Sequence, residues 1–276
     1  MKTLVLDQGN STLFAGVFRD DRLMRSARIN VGRDRRIPRP KSSPEKTGSG
    51  LSSVGPAREG NPAFQLQKLT RGKVDRVALC SVVPKQTRRL VSLVKQTFGC
   101  ESLVLSAKSD HGLKVGYHRP AELGVDRLAN ALGAQKLYPR KHVIVVDCGT
   151  ATTLTLLHRD GTLLGGAILP GLAMWPAMLN QRTASLPEVA LRASDRAVGR
   201  DTESAIRSGI MLGHTGAIRE LICKSRVEAF GRSPVVVLGT GGQVTHFKEQ
   251  SLFTHLEREL ILHGLQAFAS ENTAHA

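Results

Sequence analysis

Two short loops carry the residues best suited to chemistry. Asp7-Gln8-Gly9-Asn10-Ser11-Thr12 sets an acid, a glycine and several hydroxyl or amide groups between two apolar runs, and Asp147-Cys148-Gly149-Thr150-Ala151-Thr152 does the same further on. A glycine lets backbone N–H groups approach an anion, hydroxyls and amides add donors, and an aspartate can hold a metal ion through water. A tight turn in which Asp and Asn bond their own backbone uses the same residues. A third candidate, Gly124-Val125-Asp126-Arg127, opens a helical pattern with an acid and a guanidinium. That acid serves either as a helix cap or as the acceptor of a hydroxyl proton late in phosphoryl transfer, with Arg127 near the phosphoryl group or a substrate carboxylate. Gly239-Thr240-Gly241-Gly242 follows an apolar strand and gives either a bare turn or a backbone surface on which a flat base or a phosphate can pack.

The segments around these loops place them. "TLVLD" and "TLFAGVF" read as two strands joined by a polar turn, and "HVIVVD" with "TATTLTLL" repeats that pattern at an offset of 140: Asp7 falls on Asp147, Gly9 on Gly149 and Thr12 on Thr152. A duplication follows, and with it an α/β protein of two similar lobes with a cleft between equivalent turns. The boundary is set at 122/123, giving lobes of 1–122 and 123–276. Asn61 as N-cap and Pro62 start a short helix, "KQTRRLVSLVKQTF" is a second helix, "ELGVDRLANALGAQKLY" a third, and a last helix closes the chain near 256–269. Residues 32–62 are basic and rich in Pro, Gly and Ser, and are expected to form a long loop.

Bulk properties narrow the class. The 276 residues are 41% hydrophobic and 22% charged, which suits a globular chain with a sizeable core. The formal charge is +16; ten Lys or Arg against four acids between Arg19 and Lys46 account for six of those charges. An anionic partner is implied, and nucleotide, nucleic acid and acidic metabolite all qualify. Aromatics at 4% and the lack of a zinc pattern argue against nucleic acid. Four widely spaced cysteines without CxxC indicate a reduced, cytoplasmic setting, and no apolar run reaches the roughly 20 residues that span a bilayer. There is neither a GxxxxGK[ST] loop nor a strand-GxGxxG-helix fingerprint, so any ATP site is not a P-loop.

Taken in order, "DQGNST", "SVVP" at 81–84, "GYHRPAELGVDR" at 116–127, "DCGTATT" at 147–153, "GGAILPGL" at 165–172, "RTASLP" at 182–187 and "GTGG" at 239–242 resemble the type III pantothenate kinases. The resemblance implies two ribonuclease H-like lobes of the actin and sugar-kinase superfamily with nucleotide held in the interlobe cleft. It implies ATP-dependent phosphorylation of pantothenate, the first step of coenzyme A synthesis, with Mg²⁺ and a monovalent cation (K⁺ or NH₄⁺). By the same resemblance Asp126 is the general base, and Tyr117, Gly124, Val125, Asp126, Arg127 and Thr183 contact pantothenate. Asp7, Gln8, Gly9, Asn10, Ser11, Thr12, Leu13, Phe14 and Thr150 meet ATP, with Asp7 on the Mg²⁺ side and Asp147 on the monovalent cation. A homodimer is implied, with no membrane or nucleic-acid partner. Arg119 stands where relatives commonly have Asn, and 32–60 departs most from the family pattern.

Overall fold

The structure, a computed structural model, describes residues 1–9, 12–30, 61–192 and 196–272. The 32–60 segment therefore lies outside the described residues, as do Asn10 and Ser11 of the first loop. The chain divides into two compact units, Met1–Val104 and Leu105–Ala276.

In the first unit, β1 (Lys2–Gln8) and β2 (Thr12–Arg19) form the expected hairpin, and β3 (Arg22–Asn30) extends it. After α1 (Pro62–Thr70), β4 (Arg76–Ser81) lies parallel to β1; α2 (Pro84–Phe98) leads to β5 (Ser102–Val104), parallel to β4. The sheet order is β3-β2-β1-β4-β5. Both helix starts follow from sequence: the Asn61 side chain accepts from Ala63 N at 2.9 Å with Pro62 beginning the helix, and Pro84 begins the other after extended Val83. Leu90 and Val94, on one face of α2, are buried against Leu4, Leu6, Val77 and Leu79.

The second unit repeats this order. β7 (His142–Cys148), β8 (Ala151–Leu157) and β9 (Thr162–Pro170) are the antiparallel part; β10 (Val235–Thr240) and β11 (His255–Leu256) run parallel to β7 and to each other. Reversed, the sheet reads β9-β8-β7-β10-β11, with β6 (Lys114–Val115) added beside β9. Two sheets with the same mixed arrangement are the two ribonuclease H-like lobes expected of the duplication. The helices are α3 (Val125–Leu137), α4 (Met174–Arg182), α5 (Thr202–Phe230) and α6 (Leu260–Glu271). α5 opens on a reciprocal cap: Ser204 N donates to Asp201 Oδ1 at 2.8 Å, and Asp201 N to Ser204 Oγ at 3.2 Å.

The strand pairing corrects the offset of 140. Asp7 faces Phe14, whereas Asp147 faces Thr153, so four residues separate Gln8 from Leu13 but only three separate Cys148 from Thr152. The first loop is one residue longer, and Thr12 is the counterpart of Ala151 rather than of Thr152. The closing bonds agree: Gly9 N donates to Thr12 O at 3.0 Å, and Gly149 N to Ala151 O at 3.1 Å.

Strands β3, β9 and β11 carry no clear sequence signal. β3 is a mostly exposed edge strand bearing charged side chains, as edges that must not pair with other chains do. β9 contains Gly165-Gly166 and ends at Pro170, residues that ordinarily terminate a strand. β11 is two residues long, and the closing helix starts after it, at Leu260.

α3 is fixed by backbone contact with α6. A Cβ on Gly133 would lie 2.2 Å from Leu260 O, and one on Gly264 would lie 1.8 Å from Ala129 O. Only two glycines allow this crossing, and it sets where the start of α3 stands. Gly264→Ala is therefore expected to lower stability by about 3 kcal/mol, the upper end of overpacking costs. Denaturant unfolding checks it, and a variant as stable as wild type would contradict the crossing.

Three histidines, His111, His142 and His214, are buried, and burial is the main cause holding each below the usual imidazole value. The folded chain keeps them neutral while the unfolded chain takes up protons below about pH 6.5, so they favour folding above that value and lose their contribution as pH falls through their folded values. The unfolding temperature should decline between pH 7 and pH 5 in calorimetry; a flat profile would contradict the assignment.

Candidate active site

Asp7 and Asp147 occupy equivalent places, at the carboxyl ends of β1 and β7, each central strand flanked by a parallel neighbour. In open α/β sheets ligands bind outside this end of the strands. Asp7 pairs in register with Cys80 of β4, whose thiol donates to Asp7 Oδ1 at 3.4 Å. Asp147 pairs with Thr240 of β10, and its Oδ2 accepts from Asn130 Nδ2 of α3 at 2.9 Å.

In the first loop, Gln8 is 4% exposed and turns its Nε2 back to Gly9 O at 2.7 Å. Leu13 and Phe14 are buried in the core, with the Arg28 guanidinium 3.8 Å from the centre of the Phe14 ring. Thr12 is half-buried at the loop's end. Asn10 and Ser11 fall outside the described residues.

The second loop is packed from behind by glycines. Gly171 N donates to Thr150 O at 3.1 Å, and a Cβ there would meet that oxygen at 2.1 Å, while Thr150 itself is exposed. Gly241 has φ +92°, and a Cβ on it would lie 2.3 Å from Asp147 Oδ1; Gln243 N donates to Cys148 O at 2.8 Å. Of the glycines in "GTGG", Gly239 packs on Phe253 and Gly241 on Asp147, and Gly242 alone has open space where a Cβ would be. Cys148 is buried, and burial first, then Asp147, pushes its thiol up to about 12, which leaves it a neutral core residue.

Asp126 and Arg127 stand at the first turn of α3. Asp126 Oδ1 accepts from Arg127 N at 2.9 Å, so this carboxylate does help cap its helix. Gly124 makes that fold-back possible, since a Cβ there would meet Asp126 Oδ1 at 2.5 Å. Val125 is the first helical residue. Asp126 is half-buried, and Oδ2 has no hydrogen-bond partner among the described residues.

Arg127 is 4% exposed, and its partners are all neutral. Nε donates to Thr155 Oγ1 at 3.1 Å, Nη2 to Leu154 O and Gly165 O at 3.0 Å each, and Nη1 to the Tyr117 hydroxyl, whose ring centre lies 5.5 Å from the guanidinium carbon. Four of five N–H donors are used, and no carboxylate pairs with the charge among the described residues. The Gly165-Gly166 pair makes room for this: φ at Gly166 is +144°, and a Cβ there would lie 1.9 Å from Leu154 O and 3.0 Å from Arg127 Nη2. A glycine pair inside a strand is the sequence signal for such a close approach, and it marks Thr155, Leu154 and Gly165 as parts of the site beyond the motif residues.

Tyr117 is half-buried beside β9, where Gly116 N donates to Leu163 O at 2.8 Å. Thr183 stands apart from this cluster, exposed at the end of α4, with its hydroxyl donating to Leu179 O at 2.8 Å and accepting from Leu186 N at 3.3 Å. Arg119 turns to solvent and pairs with Glu122 at 2.7 Å.

The second unit provides an aspartate oxygen and a buried cation that have no partner acid or donor among the described residues, and a glycine-backed Asp loop; the first unit carries its own Asp loop. Known proteins resemble this chain in sequence and in fold. A solved structure described as a putative Baf family transcriptional activator from Campylobacter jejuni has the same fold, with a TM-score of 0.57 at 17% identity over 98% of this chain and 99% of that one. A protein named type III pantothenate kinase from Legionella pneumophila (strain Corby) is 36% identical over 98% of this chain and 99% of its own length. One of the same name from Thermomicrobium roseum is 34% identical over 96% and 95%. The sequence profile of the family described as type III pantothenate kinase matches residues 3–224, and this chain belongs to that family.

Proposed function

We propose that this protein transfers the γ-phosphoryl group of ATP to the primary hydroxyl of pantothenate, and so acts at the first step of coenzyme A synthesis. Family membership supports the reaction. The observation that carries the substrate reading is the buried Arg127, whose charge has no acid to meet it. Removing a charge from water without a counter-ion is costly unless a ligand supplies one, and pantothenate carries a carboxylate.

Arg127 and Tyr117 together present what a carboxylate needs. Tyr117 accepts from Arg127, so the hydroxyl hydrogen is left to donate, beside the one remaining guanidinium N–H. Asp126 precedes Arg127 on the helix, and successive helical residues diverge by about 100° at 3.6 residues per turn. The two side chains can therefore serve opposite ends of an extended substrate, the carboxylate at Arg127 and the reacting hydroxyl at Asp126 Oδ2. A loose phosphoryl-transfer transition state asks chiefly for alignment and charge neutralisation, so Asp126 orients the alcohol and takes its proton late.

For the nucleotide, the backbone of Gly9 to Thr12 with Asp7, and Thr150 in the second unit, are read as the phosphate and ATP contacts. One carboxylate fits Mg²⁺, which keeps several waters and shares its shell with phosphates. The second aspartate is read as the ligand of a monovalent cation; Gly241 brings backbone against its Oδ1, where a Cβ would lie 2.3 Å away. Such an ion would supply the positive charge that a P-loop lysine provides elsewhere. Among the described residues no three His, Cys, Asp or Glu form a metal cluster, and no helix is long and apolar enough to cross a membrane.

A homodimer is read from the family resemblance. Ile168 (67%), Met174 (46%) and Met178 (41%) are exposed along β9 and α4, and Thr183 ends that helix. Thr183 is then a substrate contact offered at a surface.

The test is coupled ADP release with purified protein, pantothenate, Mg²⁺ and KCl. Pantothenate-dependent turnover is expected, and its absence would overturn the reading. Asp126→Asn should lower kcat by about 100-fold or more with an unchanged unfolding temperature; near-normal kcat would remove Asp126 from its role. Tyr117→Phe should raise KM for pantothenate by about 10-fold while leaving KM for ATP in place, as loss of a hydrogen bond to a charged group does.

A further inference from the structure

Asn130 lies four residues after Asp126 on α3, so both stand on the same side of that helix. It is 1% exposed. Its Nδ2 donates to Asp147 Oδ2 at 2.9 Å, while its Oδ1, fully buried, receives no hydrogen bond among the described residues. Leaving such an acceptor unpaired is unfavourable, and buried amides rarely do so without an ion or water to meet them. The other half of the setting is Asp147, against whose Oδ1 the backbone of Gly241 packs so closely that a Cβ there would lie 2.3 Å away. The Asn130 amide and the Asp147 carboxylate are thus held side by side by one hydrogen bond, from Nδ2 to Oδ2. Both are hard oxygen donors of the kind that bind alkali and alkaline-earth cations.

We propose that Asn130 completes the cation site at Asp147: its Nδ2 fixes the carboxylate, and its unpaired Oδ1 is a second oxygen ligand of the ion. This rests on the reading of Asp147 as the ligand of a monovalent cation. It makes α3 the element that carries base, substrate clamp and cation ligand at Asp126, Arg127 and Asn130. The ion and the base are then held in register by the helix that the Gly133–Gly264 crossing fixes.

The experiment measures thermal unfolding of the full chain with excess Mg²⁺ and ADP, in KCl and in choline chloride at equal concentration. Wild type is expected to unfold at higher temperature in KCl. Asn130→Ala should lose that difference. In the ADP assay, Asn130→Ala should need about 10-fold more K⁺ or beyond for half-activation, with KM for pantothenate little changed. If Asn130→Ala keeps the wild-type potassium response in both measurements, Asn130 is no ligand and the proposal falls alone. If wild type itself shows no potassium-specific response while turning over pantothenate, the cation reading of Asp147 falls and takes the proposal with it.

Discussion

A guanidinium buried against neutral oxygens is the constraint on which the rest of the second unit depends. Arg127 is bound by a strand hydroxyl, two strand carbonyls and a tyrosine, none of which cancels its charge. Much of that arrangement has no other purpose. The twin glycines in β9 bring a carbonyl close to Nη2, the extra strand β6 delivers Tyr117, and the bulge in the β8–β9 ladder at Leu156/Leu157 lies next to both. Removing a partner from a buried charge costs several kcal/mol, and on the proposed reading an anionic substrate supplies the missing one.

Backbone-to-backbone contact positions what surrounds it. Gly133 and Gly264 bring α3 against α6, Gly171 brings the end of β9 against Thr150, and Gly241 brings the loop after β10 against Asp147. Each contact admits no side chain, so small displacements are resisted by sterics rather than by soft packing. Phosphoryl transfer draws on alignment above all, and a scaffold of this kind supplies it.

Much of this was legible in the sequence. The paired Asp-x-Gly loops between apolar strands gave both hairpins, and the ordered motifs gave the family. Asn61-Pro62 gave the start of α1 because capping is local chemistry. What stayed hidden is of two kinds. β3 and β9 are strands whose residues contradict strand propensity, one because it is a charged edge and the other because it must approach Arg127. The role of Asn130 depends on a contact across 17 residues that no local pattern encodes, and the shorter second loop shows only in strand pairing. The sequence left the glycines of "GTGG" open between a bare turn and a nucleotide surface; Gly239 and Gly241 are packing positions, since a glycine's reason for being small lies in what faces it.

We read the charge of Arg127 as reserved for a substrate carboxylate. The most direct measurement compares kcat/KM for pantothenate with that for its neutral primary amide, which keeps the reacting hydroxyl and loses the anion. A drop of about 100-fold or more is predicted, the consequence of leaving a buried charge unmet. Equal kcat/KM for the two compounds would contradict the account.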